Sequence, residues 1–135
     1  VQLDLRAQTN ALAKELVSRV HEIAESSARK VGCTTAFSQI WGYAAEYDPR
    51  LVQVCERAIT ETLGSVEPPL HTLGSEDFHA YHMEYGIPVA YMGLGADVMP
   101  GLHARNMHFD HSCMVPGAEI LFRCVSQLLE FKEEQ

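Results

Sequence analysis

Hydrophobic and polar positions divide this chain into segments of two different periods. Val1-Gln2-Leu3-Asp4-Leu5-Arg6 alternates apolar and polar residues, as a half-buried strand does. Leu12, Leu16, Val20 and Ile23 then recur at helical spacing, with Glu15, Arg19, Glu22 and Arg29 on the polar side. Thr9 is placed to cap that helix and Gly32 to end it. From Cys33 to about Tyr47, a run rich in Thr, Phe, Ile, Trp and Tyr suits a second, long strand. Asp48-Pro49 opens the next helix with a capping carboxylate and a proline at the first helical position. Leu51, Val52, Cys55, Ile59 and Leu63 share one face of it, and Gly64 closes it. Beyond Pro68-Pro69, Ser75 is expected to cap a short third helix, with Glu76 and Asp77 where the helix dipole favours carboxylates. Gly86 and Pro88 lead into residues 89–94, apolar throughout like a strand buried on both faces. The last helix is expected from about Pro116 into the charged tail, with Ile120, Leu121, Cys124, Val125 and Leu128 inward.

The order is therefore β-α-β followed by α-α-β-α, which is α/β or α+β material. A single buried strand cannot be a whole parallel sheet, so the sheet is expected to be incomplete within this chain. Opening on Val1, already in a strand-like pattern, the sequence is not expected to begin where a fold begins.

Composition narrows the function classes. The 135 residues amount to one domain or pieces of two, and 47% are hydrophobic, enough for a core. A net charge of −8 argues against a nucleic-acid partner, which needs a basic face. Lys and Arg are scattered, and no apolar run approaches the ~20 residues that span a bilayer, so no membrane partner is expected. Cys33, Cys55, Cys113 and Cys124 are far apart and three lie on apolar faces, fitting free thiols of a reducing, cytoplasmic location better than a disulfide framework.

Candidate chemistry collects between residues 74 and 111. Five of the seven histidines fall there: His79, His82, His103, His108 and His111, four of them within a few residues of an acid. Imidazole and carboxylate are the usual ligands of a borderline divalent ion such as zinc. His79 and His82, spaced i, i+3, would share a helix face. No CxxC pair and no HExxH is present, so the residues alone leave a metal site and a solvated polar loop both open.

Gly74-Ser75-Glu76-Asp77-Phe78, with Gly93-Leu94-Gly95, Leu102-His103 and Phe109-Asp110 ahead of Gly117-Ala118, resembles the C-terminal part of the dizinc amidohydrolases. These include aminoacylases, glutamate carboxypeptidases and hydrolases of N-acyl and auxin–amino-acid conjugates. Leu3-Asp4-Leu5-Arg6 before a long helix resembles the second half of that family's inserted lid, or dimerisation, domain. The resemblance implies an incomplete fragment of a zinc-peptidase-like catalytic sheet (residues 48–135) plus half of an α+β lid (residues 1–47). It also implies His103 as the last metal ligand, Ser75 and Glu76 at the border of the substrate pocket, and Arg6 on the substrate carboxylate. A salt bridge from Arg6 to Asp4 is the competing reading. His111 stands where many relatives carry Glu.

The intact enzyme so implied holds two zinc or other divalent ions. A carboxylate base activates a bridging water against an amide carbonyl of an N-acyl amino acid or small dipeptide-like substrate. The other ligands and the base belong to an N-terminal half, so this chain alone is expected to lack catalytic residues and to be inactive. Its expected partners are a second copy or a chain carrying that half. The alternative is a non-catalytic oligomerisation or interaction module, pairing through the edge at residues 1–7. A third reading is a self-contained metal domain built on His103, His108, Asp110 and His111.

Overall fold

The computed structural model describes residues 1–69 and 73–130. Its regular structure is helical. α1 spans Asn10–Lys30, α2 Pro49–Leu63, α3 Ala80–Tyr85 and α4 Met114–Glu130, with 3₁₀ turns at Asp77–His79 and His111–Cys113 leading into α3 and α4. The charged tail expected beyond α4 lies outside the described residues.

Local chemistry sets the helix boundaries. Thr9 sits in extended geometry and accepts a hydrogen bond from the Leu12 amide, opening α1. Asp48 accepts from the amides of Arg50 and Leu51, and Pro49 needs no partner for its nitrogen. Gly64 and Gly86 end α2 and α3 in the left-handed conformation, which costs glycine nothing.

The chain divides into two compact units, Val1–Glu46 with Pro69–Val89, and Tyr47–Pro68 with Ala90–Gln135. In the first unit, the start of α1 is pinned by Asn10, which is buried. Its carboxamide oxygen accepts from the Ala44 amide at 2.9 Å, and its nitrogen donates to the Ala44 carbonyl at 3.3 Å. Its own amide donates to the Glu46 carboxylate at 2.8 Å. His21 on α1 stacks on Phe37 with ring centroids 3.8 Å apart.

In the second unit α2 packs on α4. Val54, Ala58, Ile120 and Cys124 form the core, with Cys55, Ile59 and Met92 against it. Arg123 and Gln127 of α4 both reach the Glu61 carboxylate of α2, at 3.3 and 3.4 Å.

The expected strands do not pair. Among the described residues the only strand-type pairing is an isolated antiparallel bridge, Met99 to His108, and residues 1–6, 33–47 and 89–94 run without a ladder. Alternation and β-branching mark a segment as fit for a sheet, but a strand exists only where a second segment accepts its hydrogen bonds. The same lack leaves apolar stripes uncovered. Leu12, Leu16 and Ile23, read from the sequence as one apolar stripe of α1, are exposed, as are Leu121, Val125 and Leu128 on α4, read as inward-facing.

Candidate functional site

The loop that carries His103 is fastened at both ends. Leu94 lies against α4 so closely that a Cβ on Gly117 would meet its Cδ2 at 2.7 Å. At the base of the loop the Asp110 amide donates to the Ala96 carbonyl at 2.8 Å. Between them Met99 and His108 exchange two backbone hydrogen bonds, both 2.9 Å. Asp110 then caps the 3₁₀ turn into α4, accepting from the amide and hydroxyl of Ser112 at 2.9 and 2.7 Å. These bonds from Ser112 hold the Asp110 carboxyl below its ordinary range.

His103 occupies the tip. The Ala104 amide reaches the Gly101 carbonyl at 3.3 Å, making a turn whose third residue is His103. His103 has φ +64°, the left-handed value a type II turn needs there. Glycine fills such positions by default, and an unforced histidine there costs free energy. Gly101, the first residue of that turn, is near-extended at φ +159°, and the left-handed position falls on the histidine. Its side chain is exposed, and its ring has no hydrogen-bond or ring partner among the described residues.

The other histidines of the window are engaged locally. His79 is buried, and its Nδ1 accepts from the Glu76 amide at 3.3 Å. His82 Nδ1 lies 3.2 Å from the Ile87 carbonyl, which can only accept, so this nitrogen carries the proton. Each of the i, i+3 pair is thus tied to backbone, and among the described residues the two are not grouped with a third potential ligand. His108 Nδ1 lies 3.4 Å from the Asn106 carbonyl, and His111 packs edge-on against Phe109 with centroids 4.9 Å apart.

The remaining sequence-selected residues lie in the first unit. Ser75 does not cap α3: its hydroxyl donates to the Tyr43 carbonyl at 2.8 Å, while Glu76 takes the N-cap position of the 3₁₀ turn. The hydroxyl finds a nearer acceptor on the 42–44 segment, against Gly42, where a Cβ would come within 3.0 Å of Ser75 Oγ. Glu76 itself is exposed. Arg6 grips Asp4 through Nε and Nη2 at 3.0 to 3.2 Å, and its Nη1 reaches the Leu73 carbonyl at 3.4 Å. The hydrogen bond and charge of Arg6 hold the Asp4 carboxyl below its ordinary range. Asn10, Tyr43 and Ala58 were not singled out by sequence, because nothing local marks a residue whose partner is tens of positions away.

Residues 8–127 match the model of peptidase family M20/M25/M40. The chain belongs to that family. No curated protein and no solved structure matches it. Membership makes the chain part of the M20 dizinc amidohydrolase and peptidase group, a metal-dependent family. Ser75, Glu76 and His103 fall inside the matched region and Arg6 just before it. Among the described residues no three His, Cys, Asp or Glu side chains are grouped to hold an ion. The third sequence reading, a domain with its own metal site on His103, His108, Asp110 and His111, finds no such grouping. A zinc site needs three or four protein donors, and the described residues do not bring that many together. No helix among them is long and apolar enough to cross a membrane.

Proposed function

We propose that this M20-family chain is the C-terminal portion of an amidohydrolase acting on N-acyl amino acids or small dipeptide-like substrates. His103 is its donor to the metal centre, Ser75 and Glu76 border the substrate pocket, and Arg6 meets the substrate carboxylate. The observation that carries this reading is His103 itself. It is held in an unfavourable backbone conformation at the tip of a doubly fastened loop, inside the family match, with a ring bound to nothing nearby. Backbone strain of that kind gathers at functional sites.

Two zinc or other divalent ions, when bound, supply the activated water and polarise the carbonyl. One donor does not hold an ion, so the other ligands and the general base belong to polypeptide outside residues 1–135. Without that polypeptide the chain is expected to be inactive. Residues 1–47 then form half of a lid domain and residues 48–135 the end of a catalytic domain. On this reading residues 1–6, 33–47 and 89–94 become strands once the missing sheet supplies their partners.

The uncovered apolar stripes of α1 and α4 support an association, either with the chain carrying the rest of the fold or with a second copy. The unpaired, alternating segment at residues 1–6 also favours the second reading, a non-catalytic oligomerisation module. The four free cysteines fit a reducing cytoplasm.

Metal analysis after purification in zinc-containing buffer tests the division of the site. The isolated chain is expected to carry no stoichiometric dizinc centre, and to gain metal and amidase activity together when co-expressed with an M20 N-terminal half. Two tightly held zinc ions on the isolated chain would contradict it.

A further inference from the structure

We propose that Cys55 and Cys124 form a reversible disulfide that staples α2 to α4 under oxidising conditions. The two helices meet through Val54, Ala58, Ile120 and Cys124, and Cys55 packs against that cluster from the α2 side. Arg123 and Gln127, both bound to Glu61, fix α4 against α2 in the same stretch. One thiol from each helix thus belongs to the same packed cluster. Both are reduced in this structure. Both lie inside the family match but outside the motifs that carry the family resemblance, and nothing in amide hydrolysis uses them.

The two sulfurs differ in access. Cys55 is partly exposed and Cys124 is buried, so a small oxidant reaches Cys55 first and Cys124 acts from within. With a low-molecular-weight disulfide as oxidant, the Cys55 thiolate attacks one of its sulfurs and expels one thiol. The Cys124 thiolate then attacks Sγ of Cys55 in the mixed disulfide and expels the second thiol. Two protein thiols are oxidised, one oxidant disulfide is reduced to two thiols, and the two protons go to the released thiolates. Burial, with the neighbouring Cys124, pushes the Cys55 thiol up to about 11. The reactive thiolate is therefore scarce at neutral pH, and the pair responds slowly to oxidant. A bridge from residue 55 to residue 124 would close a long loop and constrain the unfolded chain.

The test uses the full chain with Cys33→Ser and Cys113→Ser, so that only this pair can react. The protein is incubated with oxidised glutathione, quenched in acid, and examined by intact mass and free-thiol count. Both thiols are expected to disappear together in a monomer carrying no glutathione. The rate should rise about tenfold per pH unit between pH 7 and 9, following the thiolate fraction. The product should unfold at higher denaturant than the reduced protein and revert with dithiothreitol. Adding Cys124→Ala should instead trap glutathione on Cys55. A stable glutathione adduct on Cys55 with Cys124 still free in the two-cysteine protein would overturn the proposal. So would two intact thiols after prolonged oxidation at pH 9, or an intermolecular dimer as the product.

Discussion

Leu94 and Gly117 meet where the chain enters the His103 loop and α4 begins, so closely that a Cβ built on Gly117 would lie 2.7 Å from Leu94 Cδ2 and the leucine end would have to shift. The contact seats the end of the apolar 89–94 segment on the first turns of α4, and the loop springs from that seat.

Substitution at Gly117 separates packing from helix propensity. Alanine is the better helix former by about 1 kcal/mol, and the atom it meets is the movable end of a leucine. Gly117→Ala should therefore stay within about 1 kcal/mol of the parent. Gly117→Val drives a branched side chain into Leu94 and should cost about 1–3 kcal/mol in urea unfolding.

Asn10 gives a second, sharper case. Asn10→Ala removes the paired bonds to Ala44 from a buried position and should cost about 1–3 kcal/mol. Asn10→Asp keeps the acceptor, loses the donor, and sets a second carboxylate beside Glu46, so it should cost more than alanine. Equal stability of the two variants would show that the carboxamide does not hold Ala44 in solution.

Neighbouring residues on α4 report whether its outer stripe is covered in solution. Ile120 is 4% exposed and Leu121 58% exposed. In a chain that stands alone, Ile120→Ala should cost about 2–4 kcal/mol and Leu121→Ala under about 0.5. A Leu121→Ala cost that matches Ile120→Ala and grows with protein concentration would show that self-association buries this stripe.

How much of this was legible in the sequence follows from how far apart the interacting groups lie. Thr9, Asp48-Pro49, Gly64 and Gly86 marked their helix ends because capping is decided within four residues. Val54 and Ala58, the most buried positions of α2, were missed because the stripe through Leu51, Cys55 and Leu63 looked wider, and α4 selects the side it meets. The strand segments were legible only as composition, since pairing needs a partner that no single segment announces. At the site, sequence resemblance chose His103, but its left-handed backbone and the engagement of the other four histidines emerge only in three dimensions. Ser75 was placed as a cap by adjacency, and a carbonyl 32 positions away took its hydroxyl instead.

Acid should weaken the fold in a defined window. Desolvation works against ionisation of Asp48, but bonds from Leu51 and Arg50 outweigh it and hold its carboxyl below the ordinary range. Asp4 and Asp110 are lowered by Arg6 and Ser112. A carboxyl lowered in the folded state stabilises it above the unfolded value near 3.9, and that stability is lost as pH falls through the folded value. The melting temperature should therefore be insensitive to these groups above about pH 5 and drop below about pH 4. Asp48→Asn should flatten part of that drop.

The central claim rests on His103, and turnover in a reconstituted enzyme tests it most directly. Co-expressed with an M20 N-terminal half, the chain carrying His103→Ala should fold as the parent does, since an exposed loop residue carries little packing. Its turnover of an N-acyl amino acid should fall by at least about a hundredfold, because a lost ligand loosens the ion that activates water. His108→Ala and His111→Ala should each cost far less. Near-normal turnover in His103→Ala, with activity abolished by His108→Ala or His111→Ala, would contradict the assignment of His103 as the metal donor.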